Sequence, residues 1–264
     1  MSKGGTSSTV GGGLRLEIDA GIGVVTIDRP DVRNAIGMAT VDELEAALDH
    51  ALESHATVLV LRGAGERVFV SGGDLKELSS IRTYDDAVGM ASRVRRVLDR
   101  VAAFPVPVIA ALNGHALGGG AEVAIAADIR IAADDIKIGF NQVNLGIMPA
   151  WGGAERLATA LGRSRALLAI ATGEVYDAPT AQRLGLIDVV APRATFDAEW
   201  RTLARRIAAA APGTTRAVKS VIAAAAPSLH PELEAGAADA FARLWTADAH
   251  WDAVEASKET RRPV

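Results

Sequence analysis

The 264-residue sequence contains no cysteine. That single absence removes disulfides, thiolate nucleophiles, cysteine-ligated zinc and iron–sulfur clusters. Aromatic residues are sparse at 4 %, and Lys plus Arg (28) do not outnumber Asp plus Glu (32), leaving a net charge of −4. A mildly acidic, ring-poor chain lacks the basic stacking surface of a general nucleic-acid binder. A local basic patch for a phosphorylated small molecule is not excluded by it. The longest apolar runs, such as Phe104–Leu112 and Val221–Ala226, fall well short of the roughly 18 residues a membrane-spanning helix needs. Common signatures are missing as well: no GK[ST], no GxSxG and no HExxH occur, and Gly118-Gly119-Gly120 lacks the GxGxxG spacing. The expectation is a soluble, cytoplasmic protein with no metal site and no nucleic-acid or membrane partner.

What is present is apolar residue in quantity, 49 % of the chain, enough for one large core or two small ones. Residues 1–13, rich in Gly, Ser and Thr, read as a flexible tail without a secretory apolar stretch. Leu14, Leu16 and Ile18 alternate with polar residues, and after Asp19-Ala20-Gly21 the run Val24–Ile27 resumes, a hairpin pattern. Thr40 and Glu43 have the spacing of a capping box ahead of a helix to about Ser54. Val58–Leu61 is a buried-type strand, and Val68–Val70 a shorter one that runs into Ser71-Gly72-Gly73-Asp74. A helix follows from Asp85 to about Ala103, then a strand over Val106–Leu112, a Gly-rich stretch and a small-residue helix at Ala121–Ala127. Ile129–Ala132 and Lys137–Gly139 read as paired strands, and Ile187–Val190 as a last one. Beyond Trp151 nearly everything else is helical, divided by Pro212, Pro227 and Pro231. These patterns favour one α/β core with a helical C-terminal extension over two domains divided near Gly173.

Two glycine turns carry the chemical interest. In Phe69–Leu75 and again in Asn113–Glu122 a strand ends in consecutive glycines, so backbone can approach a ligand without side chains intervening. Either turn alone is more simply a tight α/β connection. Together they could aim two peptide N–H groups at one oxygen, an oxyanion hole worth roughly a hundred- to a thousandfold in rate per donor. Glu122 stands in an otherwise Ala/Val/Ile helix beside the second turn. It is a candidate acid or base, or else a structural carboxylate at a helix start.

With those residues in view, the chain resembles the crotonase, or enoyl-CoA hydratase/isomerase, superfamily. The resemblance rests on Ile27-Asp28-Arg29-Pro30 leading to Arg33-Asn34-Ala35, on Phe69–Glu77, on Asn113–Glu122, and on Pro149, Gly152-Gly153 and Arg156-Leu157 further on. It implies a spiral of β-β-α units forming two roughly perpendicular sheets. The core would span 14–195, and 196–264 would be a C-terminal helical region that assembles homotrimers, often as dimers of trimers. It implies an acyl-CoA thioester as substrate, coenzyme A being part of the substrate and no further cofactor being needed. By position, the oxyanion donors would be Gly73 and Gly119. The coenzyme A and acyl groove would be lined by Arg33, Ala35, Ser71, Asp74, Leu75, Leu117, Gly118 and Trp151.

One departure limits what the resemblance implies. Hydratases of this family use two glutamates; one matches Glu122, and the other position holds Gln142, with no Asp or Glu anywhere between Ile136 and Ala154. A neutral amide orients water or a carbonyl but cannot exchange a proton near pH 7. Three readings follow. Glu122 serves as the single acid/base of a hydratase-like or double-bond-shifting enzyme; or the enolate arises by decarboxylation or thioester cleavage; or the chain binds acyl-CoA without turnover.

Overall fold

The computed structural model describes residues 6–9, 11–211, 213–225 and 231–259. The strands form two sheets. The larger runs in the order Thr6–Thr9, Leu14–Asp19, Ile22–Ile27, Val58–Gly63, Val108–Leu112, Ile129–Ala133 and Val189–Ala191. Its first two pairings are antiparallel and the remaining four parallel. The smaller sheet runs Val175–Asp177, Lys137–Gly139, His115–Leu117 and Val68–Val70.

From Val58 to Gly139 consecutive strands alternate between the sheets. Val58–Gly63 belongs to the large sheet and Val68–Val70 to the small one; the same holds for Val108–Leu112 and His115–Leu117, and for Ile129–Ala133 and Lys137–Gly139. A helix follows the first two of these pairs, the long Tyr84–Ala102 and the short Gly119–Ala126. This is the β-β-α spiral expected, with the two strands of a unit in different layers. Ile129–Ala133 and Lys137–Gly139 are therefore not paired: the first lies beside Val108–Leu112 and the second beside His115–Leu117. Alternation cannot distinguish a hairpin from a crossover, because both leave every second residue inward.

The central strands are continuous apolar runs because both faces are covered. Val58–Leu61 and all of Val108–Leu112 are buried, as parallel strands between helical layers require. The crossing from Val58–Gly63 to Val68–Val70 is pinned by two buried asparagines. Asn113 accepts the Gly63 N–H at 2.9 Å and donates to the Gly65 carbonyl at 2.7 Å. Asn34 donates to the Val68 carbonyl at 2.8 Å.

Three local expectations need correction. Thr6–Thr9, placed in the flexible tail, pairs antiparallel with Leu14–Asp19; residues 1–5 and 10 lie outside the described residues, as do Pro212 and Pro227. The capping box at Thr40 and Glu43 does not form, since the helix starts at Met38. Its N-terminus is met from another element, the Glu77 carboxylate accepting the Met38 N–H at 2.8 Å, while Glu43 accepts the Gly13 N–H. Val175–Asp177 is a strand in a segment expected to be helical.

Candidate active site

Both glycine turns open onto one cavity of about 440 Å³ between the small sheet, the helix Gly119–Ala126 and the C-terminal helix Pro231–Trp245. It is lined by each of the positions singled out above: Arg33, Ala35, Ser71, Gly73, Asp74, Leu75, Leu117, Gly118, Gly119, Glu122, Gln142 and Trp151.

The turns meet closely. A Cβ built on Gly72 would lie 3.4 Å from the Gly119 nitrogen. Gly73 makes a parallel bridge with Ile36, in which the Gly72 carbonyl accepts from Ile36 and the Ile36 carbonyl accepts from Asp74. The N–H of Gly73 itself is left out of that ladder. Gly119 is the first residue of its helix, where an N–H has no intrahelical acceptor. Among the described residues neither N–H has an acceptor in the protein. The Trp151 ring lies against both glycines: a Cβ on Gly119 would come within 2.3 Å of it, and one on Gly73 within 3.7 Å.

Glu122 is 2 % exposed, in the first turn of a helix whose every residue is buried. Its Oε2 accepts the N–H groups of Trp151 (2.7 Å) and Gly153 (2.9 Å), and its Oε1 accepts from the Gln142 amide at 3.0 Å. Gly153 has to be glycine at this approach, because a Cβ there would fall 2.4 Å from Glu122 Cγ. Burial pushes the Glu122 carboxyl up to about 7, against the opposing pull of its two peptide donors and the Arg156 charge. Such a group can both take and return a proton near neutrality. Gln142 is buried as well, and its Oε1 has no hydrogen-bond partner among the described residues.

Arg33 is exposed at the cavity rim with a left-handed backbone (φ 56°), and Lys76 stands exposed on the same rim. Asp74 is more constrained than a groove residue need be. It pairs with Arg29 at 3.0 Å and caps the helix Leu75–Leu78. Arg29 also donates to the Ala35 carbonyl at 2.6 Å, so it ties the Arg33–Ala35 loop to the first glycine turn. Sequence reasoning missed Arg29 as a site-shaping residue, although it sits inside the Arg29-Pro30 turn. It also missed the apolar walls Met90, Leu145, Ile147, Met148, Phe241 and Trp245, which come from segments far apart in the chain. Among the described residues no cluster of His, Asp and Glu could hold a metal ion, and no helix is long and apolar enough to cross a membrane.

A β-β-α spiral split over two sheets is the architecture of the crotonase class. The chain belongs to the enoyl-CoA hydratase/isomerase family, which residues 17–264 match. Over 250 residues it is 33 % identical to a short-chain-enoyl-CoA hydratase of Clostridium acetobutylicum, covering 94 % of this chain and 95 % of that protein. It is 39 % identical over 178 residues to a probable enoyl-CoA hydratase of Bacillus subtilis, with coverage of 67 % and 68 %. Among solved structures, a carnitinyl-CoA hydratase from Mycobacterium avium superposes with a TM-score of 0.80 at 30 % identity, covering 96 % and 97 %. An enoyl-CoA hydratase from Mycobacterium avium subsp. paratuberculosis gives 0.83 at 26 %, covering 93 % and 98 %.

Proposed function

We propose that the protein adds water to, or shifts the double bond of, an enoyl-CoA thioester through an enolate, with Glu122 as its single acid/base. The observation that carries this reading is the Glu122 carboxyl, buried in the cavity with a proton affinity near 7. The thioester carbonyl oxygen accepts from the N–H groups of Gly73 and Gly119, which have no acceptor within the protein among the described residues. In hydration, Glu122 takes a proton from water as the water oxygen bonds to the β carbon, and the electron pair moves onto the carbonyl oxygen. The same carboxyl then returns that proton to the α carbon as the carbonyl reforms. In a double-bond shift it takes a proton from one carbon and returns it to another. One carboxyl suffices for either cycle because each ends with the proton handed back. The neutral Gln142 orients the water through its unpartnered Oε1. Arg33 and Lys76 at the rim suit the phosphates of coenzyme A.

Homotrimers or pairs of trimers are part of the same proposal. Exposed Leu167, Leu168, Val218, Val221 and Ile222 are apolar surface that subunit contact would cover.

The test is turnover of 2-enoyl-CoA and 3-enoyl-CoA by the native chain and by E122Q. The variant should lose about a hundred- to ten-thousandfold in kcat while still binding the thioester. Unchanged turnover in E122Q would overturn the single-carboxyl mechanism. Release of carbon dioxide from a malonyl-type thioester, with no enoyl turnover, would replace it by decarboxylation. Tight binding without any turnover would leave a binding protein.

A further inference from the structure

Against the Trp151–Gly153 turn packs a group of charges that do not line the cavity and that the reaction above does not use. Arg156, in the first turn of the helix Gly153–Leu161, donates from Nη1 to the Trp151 carbonyl at 2.9 Å. Its Nη2 is paired with Asp99 of the helix Tyr84–Ala102. Beside them Arg95, with only 2 % of its side chain exposed, holds Glu155 at 2.7 Å and stands 3.7 Å from Asp99. Glu234, on the C-terminal helix, adds negative charge near Arg95 and Asp99. The charged groups facing Arg156 are therefore Asp99, Arg95, Glu155 and Glu122.

The turn between them is built to transmit position. The Trp151 peptide offers its N–H to Glu122 and its carbonyl to Arg156. Gly152 has a left-handed φ of 86°, and a Cβ on it would fall 2.4 Å from Arg156 Nη1; Gly153 then returns an N–H to the same Glu122 oxygen. A guanidinium, a three-residue turn and a carboxylate thus form one continuous hydrogen-bonded chain.

We infer that Arg156, clamped by Asp99, is a positioning residue for Glu122. Through the Trp151 carbonyl it holds the turn so that two peptide N–H groups meet Oε2, and its charge favours the ionised carboxylate. Only 10 % of the Arg156 side chain is exposed, so water screens that charge weakly. Asp99 both anchors Arg156 and offsets part of its field. Removing either partner therefore moves Glu122 in opposite directions. Loss of the Arg156 charge raises its proton affinity; loss of the Asp99 charge lowers it, because an opposing anion is gone and the cation is left less neutralised.

This rests on Glu122 being the acid/base, but its test reads Glu122 directly. The native protein, R156Q, R156K and D99N are labelled with carbon-13 at glutamate carboxyls, and the Glu122 signal, assigned by its loss in E122Q, is followed from pH 5 to 9. The midpoint should rise by about one pH unit or more in R156Q, fall in D99N, and stay close to native in R156K. The rising limb of kcat/KM against pH should move with it. D99N is isosteric and keeps an acceptor for Nη2, so it decides the matter alone if R156Q is recovered unfolded. In R156Q, Asp99 still faces Arg95, so the half-buried carboxylate is not wholly unpaired. Midpoints unchanged in all variants, or moving the same way in R156Q and D99N, would overturn the inference. Full turnover in E122Q would overturn the acid/base reading while leaving the titration to decide on Arg156.

Discussion

At the scale of the residue, Glu122 stores a conflict between function and stability. A carboxyl pushed up to about 7 from its ordinary 4.5 is favoured neutral in the folded chain and ionised in the unfolded one between those values. The folded state is therefore not penalised below about pH 4.5. It loses stability steadily as pH rises to 7, where the penalty is complete. At about 1.4 kcal/mol per pH unit the interval amounts to something on the order of 3 kcal/mol. E122Q removes that cost with little rearrangement. Its amide oxygen can still accept from Trp151 and Gly153, and its NH2, in place of the oxygen that accepts from Gln142 Nε2, is met by the unpartnered Gln142 Oε1 once that amide turns over. Thermal unfolding should show E122Q nearly level with the native protein near pH 5 and several degrees more stable at pH 8. A gap that is constant with pH would show that Glu122 ionises normally in the fold.

At the scale of the element, the glycines divide into those that permit approach and those that do nothing. Gly120 opens the helix Gly119–Ala126 against the strand Val68–Val70, and a Cβ on it would land 1.8 Å from the Val70 carbonyl oxygen. Backbone is on both sides of that contact, so G120A should cost about 1–3 kcal/mol or more by overpacking, read as a lowered midpoint in urea. Gly89 lies inside the helix Tyr84–Ala102 with no atom within 4 Å of an added Cβ. G89A should stabilise by about 0.5–1 kcal/mol. If G120A unfolds at the native midpoint, the helix–strand junction is looser than its geometry; if G89A does, the helix gains nothing from the added methyl. These elements were legible in the sequence because their signals are local: glycines following a β-branched run, and a lone carboxylate among alanines. Where the controlling partner is distant in sequence, the reading failed. Thr40 and Glu43 have the right spacing for a cap, but Glu77 occupies that helix start from another element. Lys137–Gly139 alternates correctly, yet its partner is His115–Leu117 rather than the strand just before it.

At the scale of the whole molecule, the same distinction separates the site's chemistry from its selectivity. Glycine turns and Glu122 announce themselves within a few residues. The cavity wall does not, since Phe241 and Trp245 reach it from more than a hundred residues away on a helix that packs along Tyr84–Ala102. Nothing in the local pattern of that helix separates a residue lining substrate from one lining core. Trp245 is fastened there, donating its indole N–H to the Ile81 carbonyl at 2.9 Å and packing its ring 5.4 Å from that of Phe241. Phe241 is 4 % exposed and has no polar atom to satisfy, so an apolar replacement there leaves no unpaired group behind. F241L shortens the side chain and deepens the cavity while keeping an apolar surface. In a hydrophobic pocket one methylene is worth about 1–3 kcal/mol. If the acyl chain lies against this wall, kcat/KM for an eight-carbon enoyl-CoA should rise about tenfold relative to the four-carbon substrate, with the four-carbon value little changed. A parallel fall for both lengths would place Phe241 in the core alone and set the acyl chain against another wall of the cavity.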